Sequence, residues 1–156
     1  MEEILVVEVP PLQVLGMRER GKYEKIPGMI MNIIQYAMEK GITVSGPPIF
    51  VMHETSREEA MKADQEGTAD IEIAWPVEGT AAGKGAIRRY ILAGGTMAKL
   101  VHRGPYEACG PAYQRLFSWI DQNKKRIAGP IREVYPNDPR EVAPDEIMTE
   151  IYIPIA

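Results

Sequence analysis

Arg20-Gly21-Lys22-Tyr23-Glu24 returns as Arg103-Gly104-Pro105-Tyr106-Glu107, 83 positions later. The register holds without a gap as far as Gly46-Pro47 and Gly129-Pro130. From 20 to 47 it gives six identities: Arg, Gly, Tyr, Glu, Gly and Pro. Average residue frequencies would give about two. Ile33 and Ile34 fall on Leu116 and Phe117, and Tyr36 falls on Trp119. The halves also close alike. Asp70-Ile71-Glu72-Ile73-Ala74-Trp75-Pro76-Val77 resembles Thr149-Glu150-Ile151-Tyr152-Ile153-Pro154-Ile155, now 78 positions apart (Glu72 to Glu150, Pro76 to Pro154). The second half is therefore five residues shorter before its last strand. One supersecondary unit has been made twice.

Each copy reads the same way. An opening strand covers roughly 12–20, or 96–103, and RGxYE turns the chain into a helix. Ile26, Ile30, Ile33, Ile34 and Ala37 recur at the spacing of one helical face, as do Cys109, Ala112, Tyr113, Leu116, Phe117 and Ile120. Pro27 suits a first turn and Gly41 a left-handed stop. A Gly-Pro turn then starts a strand, 49–53 or 131–135, and a closing strand ends at Val77 or Ile155. The expected fold is α+β: a strand-helix-strand-strand module, duplicated with pseudo-two-fold symmetry, in an antiparallel sheet with both helices on one face. Each helix is expected to cross over between strands that pair with each other. The copies span about 4–77 and 88–156. The Gly- and Ala-rich joint at 78–87 is too short to separate independent domains, so 1–156 reads as one domain.

Composition narrows the function. The 156 residues carry 18 Lys+Arg against 22 Asp+Glu, a net charge of −4, without the basic stripe of a nucleic-acid surface. One cysteine, Cys109, excludes an intrachain disulfide and a CxxC metal site. Two histidines, His53 and His102, make no His-rich zinc site. No metal or cofactor is expected. No apolar run reaches the roughly 18 residues of a membrane span. Met1-Glu2-Glu3-Ile4 lacks a signal-peptide pattern, so a cytoplasmic location is expected. There is no P-loop, dinucleotide fingerprint or Ser–His–Asp arrangement. Gly94-Gly95 lacks the Lys-Ser/Thr of a phosphate loop and reads as a hairpin turn. The polar stretch from Glu54 to Gln65 reads as a loop or a short surface helix.

The chain resembles the GyrI-like small-molecule-binding family, the AraC-type effector-binding domain, a duplicated SHS2-type module. The resemblance is carried by Val9-Pro10, Gly16 with Arg18, Asp70-Ile71-Glu72-Ile73 with Pro76-Val77, and Gly94-Gly95-Thr96-Met97-Ala98. It continues through His102, Gly104 and Tyr106, the helix through Trp119, Gly129-Pro130-Ile131-Arg132-Glu133-Val134-Tyr135, Asn137-Asp138-Pro139 and Thr149-Glu150-Ile151-Tyr152-Ile153-Pro154. Order and spacing carry it, rather than any single motif. The resemblance implies a ligand cleft between the halves, with aromatic walls and one buried glutamate. Many members are the sensing domains of transcription regulators and bind lipophilic, often cationic drugs. Others stand alone; some interact with gyrase, and some hydrolyse the cyclopropane ring of DNA-alkylating compounds. No helix-turn-helix segment flanks the repeat in this sequence, so direct nucleic-acid binding is not expected.

Glu133 is the leading candidate for chemistry. It lies inside a strand, where apolar residues are usual. Its counterpart in the first copy is Phe50, so one copy sets a ring where the other sets a carboxylate. Strand alternation places Tyr135 on the same face as Glu133. Tyr106 and Cys109 stand where the second helix begins, Tyr113 on its apolar stripe and Trp75 on a closing strand. Tyrosine outnumbers phenylalanine seven to two, which favours walls that are apolar but carry hydroxyls and attract cations. The candidate ligand-binding set is Glu133, Tyr135, Trp75, Tyr106, Cys109, Tyr113 and Phe50. The plain alternatives are a Glu133 paired with Arg132 at the surface, aromatic residues packed in the core, and a buried Cys109, which falls on Ile26 in the repeat. Nine methionines suit an adaptable pocket or simple core filling. His102 falls on Glu19; a catalytic base is conceivable there, but a solvent-facing or locally paired residue is expected. His53 falls on Pro136 and receives no role.

Three functions fit these residues. The first is a stand-alone binding protein for small hydrophobic or cationic molecules. The second is a hydrolase of strained, cyclopropane-containing xenobiotics, with Glu133 as the catalytic residue. The third is a protein-interaction module acting on a regulator or on gyrase.

Overall fold

The period-two apolar pattern of the opening and closing segments produces strands in the computed structural model, which describes residues 3–156. The strands are β1 (Leu5–Val9), β2 (Leu12–Gly21), β3 (Ile49–Met52), β4 (Ala69–Pro76), β5 (Arg88–Leu92), β6 (Gly95–Arg103), β7 (Ile131–Val134) and β8 (Met148–Pro154). The helices are α1 (Ile26–Glu39), α2 (Arg57–Glu66) and α3 (Gly110–Gln122). The fold is α+β and antiparallel. Residues 11–93 form one unit, with strand order β3-β4-β2-β5. Residues 94–156, with the N-terminal segment up to Pro10, form a second, with order β1-β6-β8-β7.

The repeat survives as matched backbone bonds. Val77 N–H donates to Gln13 and Ile155 N–H to Thr96, both at 3.0 Å. Ser45 N–H donates to Pro76 at 2.9 Å and Ala128 N–H to Pro154 at 2.8 Å. Phe50 stands opposite Ile73, and Glu133 opposite Ile151. Each copy enters its long helix through a 3-10 turn, Tyr23–Lys25 or Tyr106–Ala108, with a proline in the first helical turn. Met29, Ile33 and Ala37 bury one face of α1, as Leu116 and Ile120 do for α3. Leu15, Ile71 and Ile73 close the core of the first unit; Met97, Leu100, Ile151 and Ile153 close that of the second.

Two expectations need correction. The strands flanking α1 do not pair with each other: β4 lies between β2 and β3. Gly94-Gly95 is not a hairpin turn, because β5 pairs with β2 while β6 pairs with β1 and β8. The compact units also differ from the sequence copies. β1 and β5 are equivalent in the repeat, yet β1 joins the sheet of the second copy and β5 that of the first. Edge strands leave one ladder open, and a short leading strand satisfies it from either copy. The polar stretch after Glu54 is the surface helix α2. Ser56 caps it by accepting from Glu59 N–H at 3.1 Å, and Gly67 ends it at φ 68°. Among the described residues no helix is long and apolar enough to cross a membrane.

The two long helices stop differently. α1 is followed by Gly41 at φ 65°, while the matching residue after α3 is Lys124 at φ 55°. A side chain in the left-handed region costs roughly 1 kcal/mol. Lys124→Gly is expected to stabilise the protein by about 0.5–1 kcal/mol, raising Tm by about 2–4 °C in a thermal melt.

Candidate functional site

β7 is only four residues long and holds Glu133 beside Ile151 of β8. The carboxylate is half-buried, and both its oxygens are held. Tyr113, from the first turn of α3, donates its hydroxyl to Oε2. Tyr135, just past the end of β7, donates to Oε1 at 2.9 Å. The Tyr106 ring, from the 3-10 turn before α3, meets the Tyr135 ring edge-on at 5.3 Å and 61°. Cys109 is buried at the helix start. The helix start and the strand end thus converge because RGxYE and Gly-Pro place them there in sequence.

Three neighbours of Glu133 hold their protons more tightly than usual. Burial, then the Glu133 charge, pushes the Tyr135 hydroxyl well above its ordinary range, so it remains a donor. Burial likewise raises Tyr106, with the charges of Asp138 and Glu133 adding to it. Burial and the Glu133 charge push the Cys109 thiol up to about 12. The group that results is one carboxylate among neutral, hydrogen-bonding rings.

Five of the seven predicted residues thus gather in one unit: Glu133, Tyr135, Tyr106, Cys109 and Tyr113. Phe50 and Trp75 belong to the other unit. Phe50 is buried there against the Tyr23 ring, at 5.9 Å and 69°. Trp75 Nε1 donates to the Gly46 carbonyl at 2.7 Å. His102 Nε2 lies 3.0 Å from the Pro105 carbonyl, at the RGPYE turn. Sequence reasoning missed a second cluster, built on Glu72. This buried carboxylate touches His53 and Tyr90. The available signal was an acid in the middle of both closing strands, Glu72 and Glu150. Among the described residues no group of three or more His, Cys, Asp or Glu is arranged to hold a metal ion.

The sequence model of the GyrI-like small molecule binding domain matches residues 2–156. The chain belongs to the GyrI-like family. A comparison with curated proteins found no match. Among solved structures, the EcmrR C-terminal domain is 22% identical, with a TM-score of 0.87 over 100% of this chain and 98% of that one. EcmrR in complex with DNA is also similar (TM-score 0.85, 22% identity, 99% of this chain), and there this GyrI-like chain spans 57% of the EcmrR chain. A hydrolase from Listeria innocua is 12% identical, with a TM-score of 0.69 over 99% of this chain and 92% of that one. SAV2435, solved bound to tetraphenylphosphonium, is 14% identical, with a TM-score of 0.62 over 99% and 94%. At these identities the structures show a shared fold, and the family match makes the chain a small-molecule-binding domain.

The state of Cys109 reports on the Glu133 cluster. An unfolded thiol ionises near 9 and the folded one near 12. Its contribution to stability is complete below about pH 9 and is lost as pH rises from there towards 12. At pH 8, labelling of the native protein by a thiolate-specific reagent is expected to be about a hundredfold or more slower than labelling of free cysteine. Glu133→Gln removes the second cause of the shift and is expected to speed that labelling.

Proposed function

We propose that the Glu133 cluster binds a lipophilic organic cation. The observation that carries this reading is the carboxylate held at both oxygens by Tyr113 and Tyr135, beside the edge-on pair Tyr106–Tyr135. A bulky cation with its charge spread under apolar groups loses little hydration on leaving water. It gains ring faces and a fixed counter-charge in exchange. A compact ammonium would lose far more, so the cluster selects diffuse cations over small ones. The tetraphenylphosphonium bound to SAV2435 is a cation of that class. Tyr135 positions the carboxylate, and Tyr106 supplies wall area.

Calorimetric titration of the protein with tetraphenylphosphonium tests this. Binding is expected, and Glu133→Gln is expected to weaken it by about tenfold or more, or about 1.4 kcal/mol. The melting temperature should hardly change. Triphenylphosphine oxide, similar in shape and uncharged, should bind wild type and variant alike. Equal affinity of wild type and Glu133→Gln for the cation would sink the reading.

The Tyr113–Glu133 hydrogen bond favours a second reading. A phenol and a carboxylate in direct contact form an acid–base pair, which could direct water or a proton in the hydrolysis of a strained electrophile. Turnover separates the two readings: a binder saturates at a stoichiometric amount, whereas an enzyme consumes excess substrate.

A further inference from the structure

Glu72 is 8% exposed in the middle of β4, and the cation-binding reading leaves it unused. Tyr90, from β5, donates its hydroxyl to Oε2 at 2.6 Å. His53, the residue after β3, brings Nε2 within 2.7 Å of Oε1. β2 runs between β5 and β4, so the Tyr90 ring must cross it. Gly16 makes room. A Cβ there would collide with the Tyr90 hydroxyl and lie 2.8 Å from a ring carbon. Gly16 does not stand in the left-handed region. Glycine is required there by close approach, since a Cβ would also lie 2.8 Å from the Ile73 carbonyl oxygen of β4.

An ionised carboxylate only accepts hydrogen bonds, so the His53 nitrogen facing Glu72 carries the proton. The opposite nitrogen, Nδ1, then presents a lone pair. It has no hydrogen bond within the described residues and is not sealed off; the side chain is 20% exposed. An imidazole aligned by a buried carboxylate, with its outer nitrogen open, has the geometry of a general base. Strand register puts Arg18 opposite Glu72, and Arg20 opposite Asp70, on the same face of the sheet. Arg18 is fixed by two bonds to Asp70, at 2.7 and 2.6 Å, yet remains 56% exposed. Asp70 is held below its ordinary range first by Arg18, and it also feels His53 and Arg20. A fixed guanidinium of this kind suits a developing oxyanion.

We propose that His53 is a general base and that this unit hydrolyses small activated esters, with Glu72 and Tyr90 as positioning residues. Water bound at Nδ1 gives a proton to the imidazole as its oxygen bonds to the acyl carbon, and the carbonyl π pair moves onto oxygen. Collapse of that adduct breaks the bond to the leaving oxygen, which departs with the electron pair. The proton passes from His53 to the leaving group or to solvent, and an acid and an alcohol result. The proposal does not depend on cation binding at Glu133.

The test is hydrolysis of p-nitrophenyl acetate by the full chain, compared with free imidazole at equal concentration. Wild type is expected to exceed imidazole by about a hundredfold. His53→Ala should fall to the imidazole rate, and added imidazole should restore activity beyond its own background. His102→Ala should match wild type. Glu72→Gln and Tyr90→Phe should lower kcat by about tenfold with KM unchanged. Should Glu72→Gln fail to fold, Tyr90→Phe carries that arm, since it removes one hydrogen bond and almost no volume. A His53→Ala variant as fast as wild type, or a wild type no faster than imidazole, would overturn the proposal and leave the dyad the task of satisfying a buried acid.

Discussion

In each copy of the repeat the opening strand pairs with the closing strand, and the rest of that copy hangs on the ladder. β2 meets β4 from Val14 opposite Pro76 to Gly21 opposite Ala69, and β6 meets β8 from Met97 opposite Pro154 to Arg103 opposite Met148. These ladders join residues some fifty positions apart, so closing them is costly in chain entropy. The fully buried Leu15, Ile71, Ile73, Leu100, Ile151 and Ile153 offset that cost. Within its own unit each short strand is held by the closing strand, β3 by β4 and β7 by β8.

A single slot shows how this works. Phe50 and Glu133 occupy equivalent positions, opposite Ile73 and Ile151. The ring is simply buried. The carboxylate has to be solvated by the protein, and Tyr113 and Tyr135 do so. The same solution recurs at three other glutamates. Tyr23 donates to Glu54, Tyr90 to Glu72 and Tyr152 to Glu150. Five of the seven tyrosines therefore serve a carboxylate, which accounts for their excess over phenylalanine. Phenols suit the task because their own protons stay on, and burial beside a negative charge holds them there.

Most of the Glu133 cluster could be read from the sequence because its members are local. Tyr106, Cys109 and Tyr113 lie within one turn-and-helix start, and Glu133 and Tyr135 lie two residues apart. Helical and strand periodicity were enough to aim them. The Glu72 cluster as a whole was hidden for the opposite reason. Its members come from β4, β5 and the residue after β3, and what joins them is a ring crossing a glycine on β2. His53 even looked irrelevant, because the repeat matched it to a proline.

The sequence by itself determined the module, its duplication, the helix faces and the family, because local periodicity and an internal repeat survive in one dimension. Only the tertiary structure decided which strands are neighbours. It placed β4 between β2 and β3, exchanged β1 and β5 between the copies, and brought Tyr90, Glu72 and His53 together. Pairing of open strand edges depends on the register of segments far apart in the chain, and equivalent leading strands satisfy the same edge, so local pattern cannot choose between them.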